Sequence, residues 1–268
     1  MQNQITFSDL AETAQKVRRT ILEMIYRTNS PHIGSSLSVV EILVALYFKI
    51  LNLSGHPDRD KLILSKGHAC PALYATLFEK GFLNADDLKG FAVNCGTLEQ
   101  HPNLDLKRGI EVSTGSLGHG LSMGAGMALG AKVSKKEFHV FVLLSDGELN
   151  EGSVWEAILF AGHHKLKNLT ALVDYNKMQA LGFSKDILDL EPLSKKWESF
   201  GWHSQEVDGH DFGQIFSAFY SLSSTRPKVI ILHTIKGKGI SFMENNLLWH
   251  YRAPDDEEYR LAVKELSK

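Results

Sequence analysis

The chain has 268 residues, 43% of them hydrophobic, and a formal net charge of -2. This length and composition are typical of one folded domain that spans residues 1–268 and buries a sizeable core. The mixed charges favour neither nucleic acid nor an anionic membrane as a partner. The chain has two cysteines without a CxxC pair, no apolar run of membrane-spanning length and no signal-peptide pattern. A cytoplasmic, soluble protein without structural disulfides is therefore expected.

The first part of the chain predicts helices. Apolar residues recur at helical spacing over residues 10–24, which predicts an amphipathic helix. Ser38 and Glu41 match a capping box, so a second helix is predicted over residues 39–50. A short apolar segment follows at residues 61–64.

Residues 117–133 are rich in glycine. The G-x-G-x-x-G fingerprint of dinucleotide-binding proteins is not cleanly met there, so a dinucleotide site is not predicted. Small residues four apart, such as Gly120 with Gly124 and Gly126 with Gly130, instead predict a helix that packs closely against its neighbours.

The second half predicts strands that alternate with helices. Apolar runs over residues 138–144 and 169–173 predict two buried strands, and residues 151–166 between them predict a helix. Such a crossover makes the two strands parallel and close neighbours. Another strand is predicted over residues 228–234, followed by a flexible loop at 236–239. The pattern predicts an α/β fold, a doubly wound, mainly parallel sheet with helices on both faces.

Polar residues follow two of the predicted strands. Asp146 comes after the first strand and Asn176 after the second, so both are expected at the sheet edge where open α/β sheets bind ligands. Carboxylate and amide oxygens are hard ligands that suit Mg²⁺ or Ca²⁺ together with a phosphate. Taken singly, Asp and Asn are also ordinary turn residues. Their placement at both ends of one crossover favours a metal–diphosphate site.

Histidine is frequent. Four of the twelve histidines stand in turn-like sequences, namely His32, His68, His101 and His250. A turn histidine is often only an exposed or hydrogen-bonded loop residue. The alternative is that these histidines bind zinc, but the HExxH, HxH and CxxC spacings typical of zinc sites are missing from the sequence. His163 and His164 point about 100° apart on a predicted helix and cannot easily share one metal, so they are interpreted as residues of a helix surface or an interface.

A family resemblance is carried by Ser145-Asp146-Gly147-Glu148, Asn176, Gln179 and Gly182. Together these residues resemble the thiamine-diphosphate motif of the transketolase family. The usual motif begins Gly-Asp-Gly; here Ser145 replaces the first glycine, and because serine is small this departure is expected to be tolerated. The resemblance extends over residues 31–250 and implies the diphosphate-binding module of the thiamine-diphosphate-binding fold.

The resemblance also implies a cofactor site. Thiamine diphosphate would be held through Mg²⁺, for which Ca²⁺ or Mn²⁺ could substitute. The implied metal ligands are the side chains of Asp146 and Asn176 and the backbone carbonyl of Met178. The residues implied in cofactor binding are His68, Gly115, Ser116, Leu117, Gly147, Glu148, Asn176 and His250. Of these, residues 115–117 belong to the loop expected against the aminopyrimidine ring, and Gly147 is expected against the diphosphate.

Three residues near this motif keep two interpretations each. Glu148 either touches the site or is a solvated carboxylate. His119 is either a residue at a helix N-terminus or a contact at the cofactor edge. Glu151 matches a family glutamate near the subunit interface, but a glutamate in the first turn of a helix is also favoured by the helix dipole.

The resemblance gives the four turn histidines a joint role. It implies that His32 and His250 bind the sugar substrate. It implies that His68, His101 and His250 are the catalytic groups that handle protons and hydroxyls. Imidazole suits this work because it titrates near neutral pH, and breaking a C–C bond beside a hydroxyl requires proton removal and return.

The resemblance finally implies a partner chain. In the family, the cofactor lies between a diphosphate-binding and a pyrimidine-binding domain, and only the first resembles this sequence. The pyrimidine-binding domain is therefore expected on a separate chain. The chain would be the N-terminal subunit of a split transketolase, active only with its C-terminal partner in an α2β2 heterotetramer.

Such an enzyme would transfer a two-carbon glycolaldehyde unit from a ketose, phosphorylated or otherwise anionic, to an aldose. Three alternatives remain open. One is the α subunit of a 2-oxo-acid dehydrogenase, and another is half of a deoxyxylulose-phosphate-synthase-like enzyme. The last is a non-catalytic chain that only binds the cofactor or a partner.

Overall fold

The computed structural model describes residues 5–54, 58–221 and 225–267. Its helices are α1 (Phe7–Thr28), α2 (Ile33–Leu37), α3 (Val40–Ala45), α4 (Cys70–Lys80), α5 (Ala85–Lys89), α6 (Gly120–Val133), α7 (Gly152–His163), α8 (Ser184–Ile187), α9 (Leu193–Ser199), α10 (Phe212–Tyr220) and α11 (Asp256–Leu266). Its strands are β1 (Lys61–Leu64), β2 (Val140–Ser145), β3 (Leu169–Tyr175), β4 (His203–Asp208) and β5 (Lys228–His233). In the described ranges, no helix is long and apolar enough to cross a membrane.

The strands form one parallel sheet in the order β1-β2-β3-β5-β4. Successive strand residues point to opposite faces, and each face has its own apolar core. On one face Phe141 and Leu143 pack with α1, α3 and α4, and on the other Val142 and Leu144 pack with α6 and α7. The predicted α/β fold, a mainly parallel sheet covered by helices on both faces, is confirmed.

The predicted strand–helix–strand unit is β2, α7 and β3. Val140 pairs with Leu169 and Ser145 with Asp174, so the two strands are parallel neighbours in register. Their carboxyl ends lie at the same edge of the sheet. The residues that follow β1, β2, β3 and β5 therefore meet there, and this edge positions the candidate site.

The predicted capping box at Ser38 is wrong. The helix of residues 39–50 is present as α3, continued by a wider helical turn over Leu46–Ile50, but α3 has no side-chain cap. Ser38 is fully buried and its Oγ donates to Oδ2 of Asp174 at 2.7 Å. Glu41 is buried as well and pairs with Arg18, so neither side chain is free to cap the helix.

The glycine prediction for α6 is right for one pair and wrong for the other. A Cβ added to Gly124 would lie 2.4 Å from Cγ2 of Val142, so this glycine lets the helix approach β2 closely. A Cβ on Gly126 or Gly130 would meet nothing within 4 Å. Six residues of helix turn the chain by about 240° beyond a full turn, which places Gly126 away from the face of Gly120.

Strand β4 was not predicted. It forms the edge of the sheet beside β5, and its sequence His-Ser-Gln-Glu-Val-Asp is only partly buried. An edge strand that faces water on several sides needs no apolar run, and polar edge strands also resist pairing with other chains.

Candidate active site

The carboxyl edge of the sheet contains a cleft of about 460 Å³. It brings together predicted site residues from across the chain: His32, His68, His101, Gly115, Leu117, Asp146, Gly147, Glu148, Asn176, Met178 and His250. Ser116 is exposed and does not line this cleft. A larger cleft, of about 640 Å³, is lined mainly by lysines and contains none of the predicted site residues, so size alone does not identify the site.

Asp146 is a buried carboxylate on the turn that follows β2. Its Oδ1 accepts a hydrogen bond from the backbone N–H of Gly147 at 2.9 Å, and its Oδ2 accepts one from Ser184 Oγ at 2.9 Å. Burial, with the nearby charge of Asp174 as a second cause, raises the pKa of Asp146 to about 6. Among the described residues, no cationic side chain forms an ion pair with it. A buried carboxylate that has no cationic partner is a suitable ligand for a bound cation.

Asn176 is oriented by its neighbours. Its amide nitrogen donates to Oδ2 of Asp174 at 3.1 Å, and its amide oxygen accepts from the backbone N–H of Met178 at 3.1 Å. The backbone N–H of Asp146 in turn reaches the carbonyl of Asp174 at 3.3 Å, which joins the two strand ends. The predicted metal ligands Asp146, Asn176 and Met178 thus line one cleft, although their ligand roles remain a prediction.

Beneath Asp146 and Asn176 lies a buried ion pair that the sequence did not predict. Lys66 Nζ is 2.5 Å from Oδ2 of Asp174, and both side chains are at most 1% exposed. Asp174 also accepts hydrogen bonds from Ser38, Asn176 and Thr234. Burial opposes ionisation of Asp174, but the charge of Lys66 and these hydrogen bonds outweigh it and lower the pKa of Asp174. The sequence signal for this ion pair was Asp174 itself, a charged residue in the mainly apolar sequence of β3.

Lys236 also points into the cleft and was missed. Residues 236–239 form a loop as predicted, but the loop is anchored rather than free, because Lys236 is only 1% exposed and the backbone N–H of Gly237 donates to the carbonyl of Gly34 at 3.0 Å. Lys236 Nζ lies 3.3 Å from the carbonyl oxygen of Gln179 and 3.1 Å from Nδ1 of His250. Burial and the nearby charge of Lys66 lower the pKa of Lys236 to about 8.

Three of the four turn histidines form a ring cluster. The ring centroid of His32 lies 5.1 Å from those of His68 and His250, and the last two are 5.8 Å apart. Burial is the main cause that lowers the pKa of all three, to about 4 for His32, to about 3 for His250 and well below the usual value for His68. The rings are therefore neutral near pH 7 and can each donate one hydrogen bond and accept another.

His32 and His101 are placed by local backbone features. His32 adopts a left-handed φ of 74°, and its backbone N–H donates to the carbonyl of His250 at 3.0 Å. His101 is exposed and lies at the cleft against Gly115, where an added Cβ would come within 3.0 Å of the imidazole Cδ2. Gly115 is therefore needed as a glycine where the loop of residues 114–120 passes the ring.

Glu148 is a buried anchor for that loop, so the interpretation as a solvated carboxylate is wrong. Its side chain is 0% exposed and accepts hydrogen bonds from Ser65 Oγ at 2.5 Å, from the N–H of Gly118 at 2.8 Å and from the N–H of Ser145 at 3.3 Å. Burial raises the pKa of Glu148 against the effect of these donors. The carboxylate joins the ends of β1 and β2 to the loop.

The two other residues with open interpretations lie close by. His119 immediately precedes α6, is exposed and makes no capping hydrogen bond. Glu151 immediately precedes α7, is exposed and lines the cleft. His163 and His164, at the end of α7, have ring centroids 5.0 Å apart, and His163 is exposed.

Comparison with known proteins identifies this arrangement. The family model "Transketolase, thiamine diphosphate binding domain" matches residues 10–266. The chain belongs to the transketolase family. It is 42% identical over 97% of its length to the 6-deoxy-6-sulfo-D-fructose transketolase subunit SqwG of a Clostridium species, and covers 97% of that protein. It is 40% identical over 95% of its length to one of the subunits of apulose-4-phosphate transketolase from Phocaeicola vulgatus, and covers 92% of that protein.

Larger members of the transketolase family contain the same domain. The crystal structure of transketolase from Campylobacter jejuni superposes with a TM-score of 0.91 at 28% identity, over 98% of this chain. This chain spans 43% of that protein, and 39% of human transketolase, to which it is 37% identical. The predicted family and its thiamine-diphosphate-binding domain are confirmed, and the match favours them over the α subunit of a 2-oxo-acid dehydrogenase.

The residues of this transketolase-family cleft fit a metal–diphosphate group. Asp146 is a buried carboxylate without an ion-pair partner in the described chain, and Lys66 and Lys236 place positive charge beside it. Nε2 of Gln179 is a buried donor without a protein partner, as is the acceptor Oδ1 of Asn150. Both residues line the cleft, so they are available to a ligand.

Proposed function

We propose that the chain is the N-terminal subunit of a two-chain transketolase that transfers a glycolaldehyde unit from a ketose to an aldose. One observation carries the proposal. The buried Asp146 and Asn176, two buried lysines and a cluster of neutral histidines all face one cleft in a thiamine-diphosphate-binding domain. Thiamine diphosphate, when bound, supplies the carbanion chemistry that breaks and forms the C–C bond.

The metal role falls to three residues. Asp146, Asn176 and the backbone carbonyl of Met178 would hold Mg²⁺, with Ca²⁺ or Mn²⁺ as substitutes. A single carboxylate with neutral oxygen ligands suits an ion that keeps phosphate oxygens and water in its shell.

Lys236, and to a lesser degree Lys66, whose charge is shared with Asp174, would complement the negative charge of the diphosphate. Both ammonium groups are almost fully buried, and a buried cation interacts with an anionic ligand much more strongly than an exposed one. Gly147, on the turn after Asp146, lets the backbone approach the same group closely. The fixed positive charge and the bound cation together would hold the cofactor's diphosphate end.

The neutral histidines would handle sugar hydroxyls and protons. The ammonium of Lys236 has only donors, so Nδ1 of His250 accepts its hydrogen bond and the neutral ring carries its proton on Nε2. His250 then presents an N–H donor, which suits a hydroxyl or carbonyl oxygen. His32 would contact the substrate as well, while His68 and His101 would share proton transfer with His250.

The relatives of this chain's own size support a split enzyme. The two described above are named as subunits, and this chain covers 92% and 97% of them, whereas it covers 39% of human transketolase. We infer that a C-terminal partner chain supplies the pyrimidine-binding domain and that the assembly is an α2β2 heterotetramer in the cytoplasm.

The substrate class follows from the same relatives. Their names state that one acts on apulose 4-phosphate and the other on 6-deoxy-6-sulfo-D-fructose. Both are sugars with an anionic terminus. The ketose of this enzyme is therefore proposed to carry a phosphate or a sulfonate at the end away from the reacting carbonyl.

Calorimetric titration tests the proposal. Thiamine diphosphate with Mg²⁺ is titrated into the chain alone and then into a mixture with the candidate partner chain. Metal-dependent binding that is tightest in the mixture and lost in Asp146→Ala is the expected result. Binding that Asp146→Ala leaves unchanged would contradict the metal assignment. Ketose–aldose assays of the mixture, with His68→Ala and His101→Ala as variants of reduced turnover, then test the reaction.

A further inference from the structure

The loop that carries Lys236 is attached to the rest of the fold on both sides of this residue. On one side, the backbone N–H of Ile235 donates to Nε2 of His210 at 2.9 Å. On the other side, Nε of Arg18 donates to the carbonyl of Lys238 at 3.0 Å. The two contacts come from distant parts of the chain, since Arg18 is on α1 and His210 follows β4.

Glu41 on α3 joins these two attachments. Its Oε1 lies 2.7 Å from Nη2 of Arg18, and its Oε2 lies 2.9 Å from Nδ1 of His210. Because the N–H of Ile235 donates to Nε2 of His210, the proton of the neutral ring is on Nδ1, where it donates to Glu41. Arg18 is 4% exposed and Glu41 is 8% exposed. The three side chains Arg18, Glu41 and His210 form one connected network, which we call the clamp.

The backbone around the clamp is shaped to fit it. Gly239 has a φ of +97°, and a Cβ at this position would lie 2.8 Å from Nε of Arg18. A Cβ on Gly34 would lie 3.2 Å from Cγ of Lys236. Glycine at these positions lets the guanidinium reach the loop and lets the lysine stem pass towards the cleft.

A buried ion pair such as Arg18–Glu41 is weak support for overall stability, because desolvation offsets most of its attraction. Its effect here is to orient the groups that hold the loop. We propose that the clamp of Arg18, Glu41 and His210 positions Lys236, by fixing the backbone on both sides of it, so that its ammonium faces the cofactor's diphosphate and His250. The part of this inference that concerns the diphosphate rests on the proposed function. The positioning of Lys236 does not.

The clamp acts through Lys236 and touches no ligand itself. When Arg18 or His210 is removed, the loop keeps only one of its two attachments, and when Glu41 is removed, both attachments lose the carboxylate that orients them. In each case Lys236 is expected to leave the cleft for solvent in a larger fraction of molecules. The two hydrogen bonds of Nζ, to Gln179 and His250, would be lost in that fraction. The effect is local opening rather than unfolding of the domain.

Labelling of amines in the full chain, followed by mass spectrometry, measures this opening at Lys236 itself. In the wild-type chain Lys236 should react slowly with an acylating reagent, because it is 1% exposed. In His210→Ala and in Glu41→Gln its rate should rise about tenfold as the loop opens. His210→Gln should restore slow labelling, because its amide oxygen can accept from Ile235 while its amide nitrogen donates to Glu41.

The chain offers a matched control for generic destabilisation. Arg59 and Glu111 form a second buried ion pair, with side chains 7% and 4% exposed, close to Lys61 at the amino end of β1. Glu111→Gln should leave the labelling rate of Lys236 unchanged. If Lys236 reacts as slowly in His210→Ala and Glu41→Gln as in the wild type, or equally fast in Glu111→Gln, the clamp does not position it. If Glu41→Gln fails to fold, His210→Ala decides alone, since its side chain is already 12% exposed.

A titration separates this inference from the proposed function. With the clamp intact, thiamine diphosphate and Mg²⁺ should bind the wild-type complex about tenfold more tightly than the His210→Ala complex. Equal affinity of these two complexes would overturn the role of the clamp in cofactor binding. Absence of binding to the wild type would count against the proposed function only, because the labelling experiment contains no cofactor.

Discussion

Lys66 Nζ lies 2.5 Å from Oδ2 of Asp174, and both side chains are buried directly beneath the cleft. Lys66 follows β1 and Asp174 is on β3, so the pair spans β2, which lies between these strands. Asp174 also binds the amide of Asn176. One ion pair therefore links the sheet interior to the predicted metal ligand.

The first prediction concerns this pair. Lys66→Met leaves the charge of Asp174 buried without its cation and should lower the free energy of unfolding by about 3 kcal/mol. Urea denaturation measures the change. Lys195→Met is the control, because this lysine and its partner Glu198 are exposed to solvent, so the loss should be much smaller than in Lys66→Met. Equal losses in the two variants would show that the buried pair contributes no more to the free energy of unfolding than a surface pair does.

The second prediction concerns the protonation of His250. Lys236 donates to Nδ1, so ¹⁵N spectra of the wild-type chain should show a neutral ring protonated on Nε2, and this state should persist at pH 5. An unperturbed histidine would be mostly charged at that pH. Lys236→Met removes the donor and a repelling charge, so a mixture of tautomers and a higher pKa are expected. Lys165→Met, at an exposed lysine, should leave the spectrum as in the wild type.

The third prediction concerns the dependence of stability on pH. Burial lowers the pKa of His139 to about 4, and its Nε2 lies 2.8 Å from Oγ1 of Thr170. The unfolded chain takes up this proton near its ordinary pKa, so stability is lost as the pH falls from about 7 towards 4. Between pH 7 and pH 5 this residue should cost about 2 kcal/mol.

The test for His139 compares denaturation curves at the two pH values. His139→Gln keeps a hydrogen-bonding group but does not titrate, so the variant should lose about 2 kcal/mol less than the wild type over the same interval. An identical pH dependence in the two chains would mean that other groups are responsible.

The fourth prediction compares two glycines. Gly118 has a φ of +87°, and a Cβ there would lie 2.6 Å from Ser153 Oγ and 2.8 Å from Glu151 Cβ. Gly118→Ala should destabilise the chain by about 2 kcal/mol and weaken cofactor binding, since it displaces the loop held by Glu148. Gly126→Ala, in open space on α6, should instead stabilise by about 0.5–1 kcal/mol. Thermal melts measure both, and a loss in both variants would contradict the steric argument.

The sequence was sufficient for the sheet interior and for the approximate place of the site. Strands β2, β3 and β5 carry mainly apolar runs because helices cover both faces, and such runs are visible without a structure. The positions of Asp146 and Asn176 could be predicted from these strands, because the residues that follow parallel strands lie at one edge of the sheet. The polar edge strand β4 carries no such signal.

The residues that were missed depend on contacts between distant segments. Lys236 stands in a Lys-Gly-Lys-Gly sequence that is typical of an exposed loop, yet it is buried, and its loop is hydrogen-bonded to Gly34 and Arg18, far away in the chain. Glu41 matched a helix cap locally but pairs with Arg18. In each case a long-range ion pair or hydrogen bond, which a local sequence pattern does not reveal, decides where the side chain lies.

The hydrogen bond from the N–H of His32 to the carbonyl of His250 connects early and late parts of the chain within one cleft. Each wall of that cleft is contributed by a segment far removed in sequence from the others, so the cleft is complete only when the whole domain is folded. A ligand that fills it therefore binds the native state alone, and by mass action it should raise the melting temperature of the entire domain and slow its proteolysis. Occupancy of the site would thereby govern the lifetime of the polypeptide as well as its chemistry.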